Sequence, residues 1–340
     1  MADQVPARRR YLVTGGAGYV GSHAVLALAD RGDEVVVLDD LSLGHAAALP
    51  DGVRLVRANL ADGEALDALL GEGGWDGVLH FASLSLVGDS MAEPMRYLRE
   101  NVGLGLGLID ACIRHGVGRF VLSSTAALFG RPAEGSEAAP IDEEAVVAPG
   151  SPYGESKAML ERALFWADRI HGLRSACLRY FNAAGADPRG RAGEAHTPET
   201  HLIPLVIDAA LGRRPELVVN GDDYDTPDGT CIRDYVHVGD LASAHLLALD
   251  QLGARSVTYN LGNGSGHSVL EVIRAVERVS GRPVPYRTAG RRAGDPARLV
   301  ASSEKLRRET GWSPAFPALD DIVATAFRWR ESHPHGYGNR

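Results

Sequence analysis

A tyrosine and a lysine four residues apart, in Ser151-Pro152-Tyr153-Gly154-Glu155-Ser156-Lys157, have the spacing for proton transfer. A phenol has a pKa of ~10, and making it a base at neutral pH means stabilising the phenolate by roughly 4 kcal/mol. A fixed ammonium beside it supplies a field of the right sign, and a second positive charge nearby adds to it. Ser151 and Pro152 suit the N-cap and first position of a helix, on which Tyr153 and Lys157 share a face. Such a pair alone is common by chance. Upstream, an apolar strand ends in Ser123-Ser124-Thr125, where the Thr125 hydroxyl can hold an alcohol or ketone beside the phenol. The simpler reading of that hydroxyl is a cap on local backbone.

A second constellation lies near the N-terminus. In Val13-Thr14-Gly15-Gly16-Ala17-Gly18-Tyr19-Val20-Gly21 the glycines Gly15, Gly18 and Gly21 are spaced GxxGxxG between an apolar strand and a helix. Small residues let backbone approach a pyrophosphate, and the helix N-terminus offers free N–H groups and the positive end of its dipole. Asp39 follows at the end of the next strand, where an acid accepts from an adenosine ribose and favours NAD over NADP.

The elements that must position these groups alternate in type. Tyr11 to Val13, Glu34 to Leu38, Val53 to Val56, Val78 to Phe81, Arg119 to Leu122 and Ser175 to Arg179 read as buried strands. Between them helical patterns run from Ser22 to Arg31, through Leu66, Leu69 and Leu70, and from Pro94 to His115. That alternation predicts a parallel sheet covered on both faces. After Asn182 the texture turns rich in Gly, Pro and His up to Thr230, and a loop-rich segment over the sheet edge is expected. Arg233 to Leu249 returns to strand then helix. Ser268 and Glu271 form a capping box ahead of an amphipathic helix, and Glu331 to Arg340 reads as a loose polar tail.

Composition excludes several classes. With 340 residues, 45% hydrophobic, the chain can bury a large core in one domain or two joined lobes. A net charge of -9 argues against a general nucleic-acid or anionic-membrane surface, so an anionic substrate must meet locally placed cations. Cys112, Cys177 and Cys231 are scattered and odd in number, so neither a disulfide framework nor a zinc site is expected and no metal is assigned. No apolar run approaches the ~18 residues of a membrane span, and a soluble cytoplasmic protein is the expectation.

With these motifs in place, the chain resembles the extended branch of the short-chain dehydrogenase/reductase superfamily, and within it the UDP-glucose 4-epimerase family. The likeness runs from about Tyr11 to Tyr337. It is carried by Leu38-Asp39-Asp40-Leu41-Ser42, His80-Phe81-Ala82, Ser123 to Ala127, Leu178 to Asn182, Asp228 to His237, Arg291 to Asp295 and His333 to Tyr337. The resemblance implies an α/β fold: a Rossmann-type doubly wound parallel sheet with a smaller mixed α/β C-terminal substrate-binding lobe. Residues 1-182, with 231-262 returning to them, would hold NAD; 183-230 and 263-340 would hold a UDP-sugar.

The family's roles carry over residue by residue. Tyr153 is implied as the catalytic base, Lys157 as its partner and ribose ligand, and Thr125 as the hydroxyl orienting the sugar. Tyr19, Val20, Asp39, Asn59, Leu60, Phe81, Ala82, Ser83, Asn101 and Phe181 are implied as NAD contacts, beside the glycines, Tyr153 and Lys157. Tyr180, Asn182, Leu202, Val218, Asn220, Arg233, Arg292, Asp295 and Leu299 are implied as the UDP-sugar cradle, two arginines suiting two phosphates. Four positions depart from common family patterns. Thr125 stands for serine, Ser85 for an NAD-contacting lysine, Asn59 for an adenine-contacting aspartate, and His201 for a substrate-contacting asparagine. The expected reaction is interconversion of UDP-glucose and UDP-galactose through a transient 4-keto sugar with tightly held NAD, in a homodimer. Alternatives are a 4-epimerase of another UDP-sugar (N-acetylhexosamine or xylose/arabinose) and a non-enzymatic NAD-binding sensor on the same fold.

Overall fold

The computed structural model describes residues 8–130, 139–292 and 295–338. From the N-terminus run β1 (Arg10–Thr14), α1 (Tyr19–Asp30), β2 (Glu34–Asp39), β3 (Arg54–Arg57), α2 (Gly63–Gly71), β4 (Gly77–His80), α3 (Val87–Ala92), α4 (Pro94–Tyr97), α5 (Leu104–Arg114), β5 (Arg119–Thr125), α6 (Pro152–His171) and β6 (Arg174–Tyr180). Then follow β7 (Asn182–Ala184), α7 (Leu202–Ala210), β8 (Leu217–Asn220), β9 (Ile232–Arg233), β10 (Tyr235–His237), α8 (Val238–Gln251) and β11 (Val257–Leu261). The C-terminal part adds β12 (His267–Ser268), α9 (Val269–Ser280), β13 (Tyr286–Ala289), β14 (Arg298–Leu299), α10 (Glu304–Thr310) and α11 (Leu319–Ser332).

The expected sheet is present: seven parallel strands in the order β11-β6-β5-β4-β1-β2-β3. Side-chain alternation explains why both faces are dry. Tyr11, Val13, Val35, Val37, Leu79 and Val121 bury on one face against Val25 and Leu28 of α1 and Leu241 and Leu249 of α8. Their neighbours Leu12, Val36, Leu38, Val78, Phe120 and Leu122 bury on the other, against Leu66, Leu69 and Leu70 of α2, Leu108 of α5 and Leu160 and Leu164 of α6. Strand order reverses between β1 and β4, so the loops after those two strands diverge and leave a crevice at their C-terminal ends.

The second part of the chain has its own core. Ile203, Val206 and Ile207 of α7 pack with Val272, Ile273 and Val276 of α9 and Ile322, Val323 and Phe327 of α11. Small sheets flank it: β8 with β13, and β12-β9-β14. The capping box of α9 is complete, with Glu271 N–H donating to Ser268 Oγ at 3.0 Å and Ser268 N–H to Glu271 Oε2 at 2.8 Å.

Three local expectations change. The segment after Asn182 is not uniformly loop-rich, since it contains α7 and β8. Buried Ile203, Val206, Ile207 and Ala210 have helical spacing, a signal masked by the Gly- and Pro-rich flanks. The helix expected over Pro94 to His115 is interrupted by a π-helical turn at Leu98–Gly103. The tail is anchored as far as Tyr337, whose hydroxyl donates to Gly193 O at 3.0 Å and accepts from Gly193 N–H at 2.9 Å.

Candidate active site

The glycine turn is built by close backbone approach. Gly15 has φ 71°, and a Cβ there would sit 2.4 Å from Ala82 N, in the loop after β4. A Cβ on Gly21 would lie 2.2 Å from Gly15 O. Gly18 forms the N-cap of α1 without a side-chain cap and without an acid in the first turn, leaving the positive helix end open to an anion. Beyond it a groove of about 750 Å³ runs over the crevice, lined by Gly15, Gly18, Asp39, Asn59, Leu60, Phe81, Ala82, Ser83 and Asn101 among others. A turn of glycines packed backbone against backbone, opening on an uncapped helix N-terminus and leading to a buried acid at the end of β2, fits a dinucleotide.

Each expected cofactor residue has a definite environment. Asp39 is buried, and its carboxylate accepts from Ala17 N–H and Leu41 N–H, both at 2.9 Å. Asn59 donates to Asp40 Oδ2 at 2.5 Å and accepts from Ala61 N–H. Asn101 lies in the π-helical turn with its amide committed inward. It donates to Leu84 O and Ser156 Oγ and accepts from Leu84 N–H, bracing the loop over the groove. Tyr19 lies apart from the groove: its hydroxyl donates to Gly185 O at 2.7 Å, and it lines a smaller crevice with His196 and Tyr337. Val20 packs on the core, and Phe181 is half-buried just past β6.

Tyr153 and Lys157 sit on the first two turns of α6, which starts where the sequence places it, with Ser151 Oγ accepting from Gly154 N–H. Lys157 is fully buried, and its ammonium donates to Ser123 O on β5 at 2.9 Å. Burial lowers it to about 8, opposed by the negative charge of Glu161. Nearby His80 is held neutral: burial and the Lys157 charge push it down to about 3 while its Nδ1 meets Thr14 Oγ1 at 2.7 Å. The Tyr153 phenol is pushed above its ordinary value by burial and by Tyr180, and its hydrogen bond with Thr125 pulls the other way. Thr125 Oγ1 also accepts from Ala127 N–H at 3.1 Å, so one hydroxyl serves both the cap and the phenol.

Several residues of this site escape the motif reading. Glu161 continues the Tyr153–Lys157 face one turn further, and Arg179 on β6 grips it through paired contacts of 3.0 and 2.6 Å. Ser124 Oγ donates to the same carboxylate at 2.6 Å, and Ser123 Oγ meets Tyr180 OH at 2.7 Å. The i, i+4, i+8 spacing of Tyr153, Lys157 and Glu161 was the available signal.

The expected nucleotide-sugar residues divide. Arg233 on β9 and Asp295 pair with each other at 3.0 Å, and Leu299 on β14 stands in register with Arg233. Arg292 is exposed, and its charge reaches Cys231; Ala293 and Gly294, between Arg292 and Asp295, lie outside the described residues. Asn182 donates to Asp234 O at 2.8 Å. Val218 and Asn220 lie on β8, and Leu202 opens α7 immediately after His201. Ser85 is exposed beyond the groove loop. The three cysteines are free and buried. Among the described residues no helix is long and apolar enough to cross a membrane.

A parallel sheet with a glycine cradle at its switch point and a Tyr-x-x-x-Lys helix beside it defines a nucleotide-dependent enzyme of sugar or alcohol chemistry, and residues 11–262 match the NAD dependent epimerase/dehydratase family, to which this chain belongs. Among its relatives is the UDP-glucose 4-epimerase of Halalkalibacterium halodurans, 49% identical over 328 residues, covering 96% of this chain and 97% of that one. The UDP-glucose 4-epimerase of Azospirillum brasilense is 49% identical over 340 residues, covering 99% and 97%. Among solved structures, a UDP-glucose 4-epimerase from Brucella ovis in complex with NAD is similar with a TM-score of 0.90 at 42% identity, covering 94% of this chain and 98% of that one.

Proposed function

We propose that the chain interconverts UDP-glucose and UDP-galactose by inverting C4, using one tightly held NAD. The observation that carries this reading is the convergence of the Tyr153 phenol and Thr125 hydroxyl beside buried Lys157, at the end of a sheet whose crevice fits a dinucleotide. The likeness to UDP-glucose 4-epimerases over nearly the whole chain supports the choice of substrate. In this reading the cradle of Gly15, Gly18 and Gly21, with Asp39, Phe81, Ala82 and the Asn101-braced loop, holds the dinucleotide. The chemistry that bound NAD would supply there is reversible hydride acceptance at the sugar carbon, with no net redox over the cycle.

Tyr153 removes the proton from the sugar 4-hydroxyl and later gives it back, with Thr125 holding the same oxygen. Burial makes the phenol a poor acid on its own, so the positive charge of the oxidised cofactor is what would tip it toward phenolate. Arg233 and Arg292 anchor the diphosphate and Asp295 the uridine ribose, for which the Arg233–Asp295 pair must open or share its bonds. With the nucleotide fixed, the keto-sugar presents its opposite face. Residues 1-182 with 231-262 then form the cofactor part, and 183-230 with 263-340 the sugar-nucleotide part. A second copy of the chain suits the apolar side chains exposed on α5 and α6: Leu106, Met159, Phe165, Trp166 and Ile170. Free buried thiols suit a reducing cytoplasm.

The direct test is incubation with UDP-galactose and no added NAD. UDP-glucose must accumulate to equilibrium; absence of product, with UDP-N-acetylgalactosamine or UDP-arabinose turned over instead, would reassign the substrate. Thr125→Val is expected to lower kcat about tenfold to a hundredfold, the worth of one charged hydrogen bond. Because Thr125 lowers the phenol pKa, its loss moves the acidic limb of kcat to higher pH, and Thr125→Ser restores it. Glu161→Gln has the opposite sense at the other end: Glu161 raises Lys157, so the alkaline limb moves to lower pH. Unmoved limbs in both variants would detach these groups from the proton chemistry.

A further inference from the structure

A second cluster of titratable groups takes no part in the proton chemistry of Tyr153 and Lys157, although one member, His201, stands next to Leu202 at the edge of the proposed sugar-nucleotide cradle. Glu194, His196, Glu199 and His201 come from one short stretch leading into α7, and one ligand atom from each lies within 4.8 Å of all the others. The Nδ1 atoms of His196 and His201 stand 3.1 and 2.6 Å from the same oxygen, Glu194 Oε1, and His201 Nδ1 is 3.4 Å from Glu199 Oε1. Ligands of a tetrahedral ion with bonds of ~2.0–2.1 Å lie about 3.3 Å apart; the 3.1 and 3.4 Å separations match that spacing, while the 2.6 Å contact of His201 with Glu194 is a direct hydrogen bond that lengthens to admit an ion. We propose that the four residues form a binding site for a divalent metal ion, zinc by its donor set.

Independent features of the loop support this. The Glu199 side chain is only 7% exposed. Its Oε1 accepts from Thr200 N–H and His201 N–H, while its Oε2 is buried with no hydrogen-bond partner. Arg330 Nη1 stands 3.7 Å from that oxygen and is held mainly by Asp208. The backbone that carries the ligands is gripped from three directions, as a preorganised metal site requires. Trp329 Nε1 donates to Glu194 O at 3.1 Å, His45 Nε2 to Ala195 O at 2.9 Å, and Tyr337 clasps Gly193. Two carboxylates and two neutral imidazoles sum to two negative charges, which one divalent ion cancels. Magnesium and calcium select oxygen ligands, whereas two imidazole nitrogens with two carboxylate oxygens suit zinc. The ion would tie the start of α7 to the loop packed on Tyr19, whose ring meets that of His196 edge-on at 6.1 Å.

The competing occupant is protons on the imidazoles bridging the same carboxylates. Full-length protein, stripped with a chelator and titrated with zinc, distinguishes the two. We expect about one zinc per chain by mass spectrometry and calorimetry, and a rise in Tm, as for an ion bound only by the folded state. Cobalt in its place should give the visible absorption of a tetrahedral site. Glu199→Gln and His196→Ala, checked for folding by circular dichroism, should each weaken zinc at least about tenfold. No saturable binding would overturn the proposal in favour of the proton-bridged cluster. Unchanged stoichiometry and affinity in both variants would overturn it by placing the ion elsewhere, and preference for magnesium or calcium would refute the donor-set argument.

Discussion

Replacing Tyr153 with phenylalanine is expected to lower kcat by about 10³-fold, the scale of a lost general acid–base group, while UDP-sugar affinity stays within about threefold. The ring keeps its place on the first turn of α6 because Ser151 and Pro152 set that helix start and not the hydroxyl. Only the proton acceptor is lost. Stopped-flow turnover together with equilibrium binding of UDP separates the two effects. A parallel loss of binding would mean that the phenol shapes the pocket and does no proton chemistry.

Lys157→Met carries the second large effect. The ammonium is buried and tied to the strand that ends in Thr125, so the variant loses a charge and the bond to Ser123 O at once. A fall in kcat of about 10²-fold is expected, with less NAD retained through purification. Methionine fills the same channel, so the fold should survive; the absorbance of released cofactor and the melting curve report the two consequences separately. Full NAD content with normal turnover would leave Lys157 as a neutral packing element. Burial holds the ammonium at about 8, so its charge, and whatever depends on it, fades as pH rises through that value.

Local features were legible in the sequence and long-range ones were not. Gly15, Gly18, Gly21 and Asp39 announce themselves because turn, helix start and strand end are close in sequence, and the geometry that needs glycine is steric. Ser268 with Glu271, and Ser151 with Pro152, are readable for the same reason. Glu161 was hidden because its partner Arg179 comes from another element, and nothing in local spacing shows that a strand will face that turn of α6. Asn101 reads as an ordinary helical residue until the π-helical turn aims its amide at Leu84. Tyr337 looked like part of a loose tail because its partner, Gly193, lies 144 residues earlier. The pattern Glu194-x-His196-x-x-Glu199-x-His201 is present in the sequence, but only the folded loop shows that the four side chains converge.

Deuterium at C4 of UDP-galactose provides the most direct measurement of the central claim, that Tyr153 moves only the hydroxyl proton while the carbon-bound hydrogen never meets solvent. Turnover in ordinary water, without added cofactor, should give UDP-glucose with the label retained at C4 and its configuration inverted, read by NMR and mass spectrometry. Label lost to water, or a requirement for NAD supplied from outside at every turnover, would contradict it.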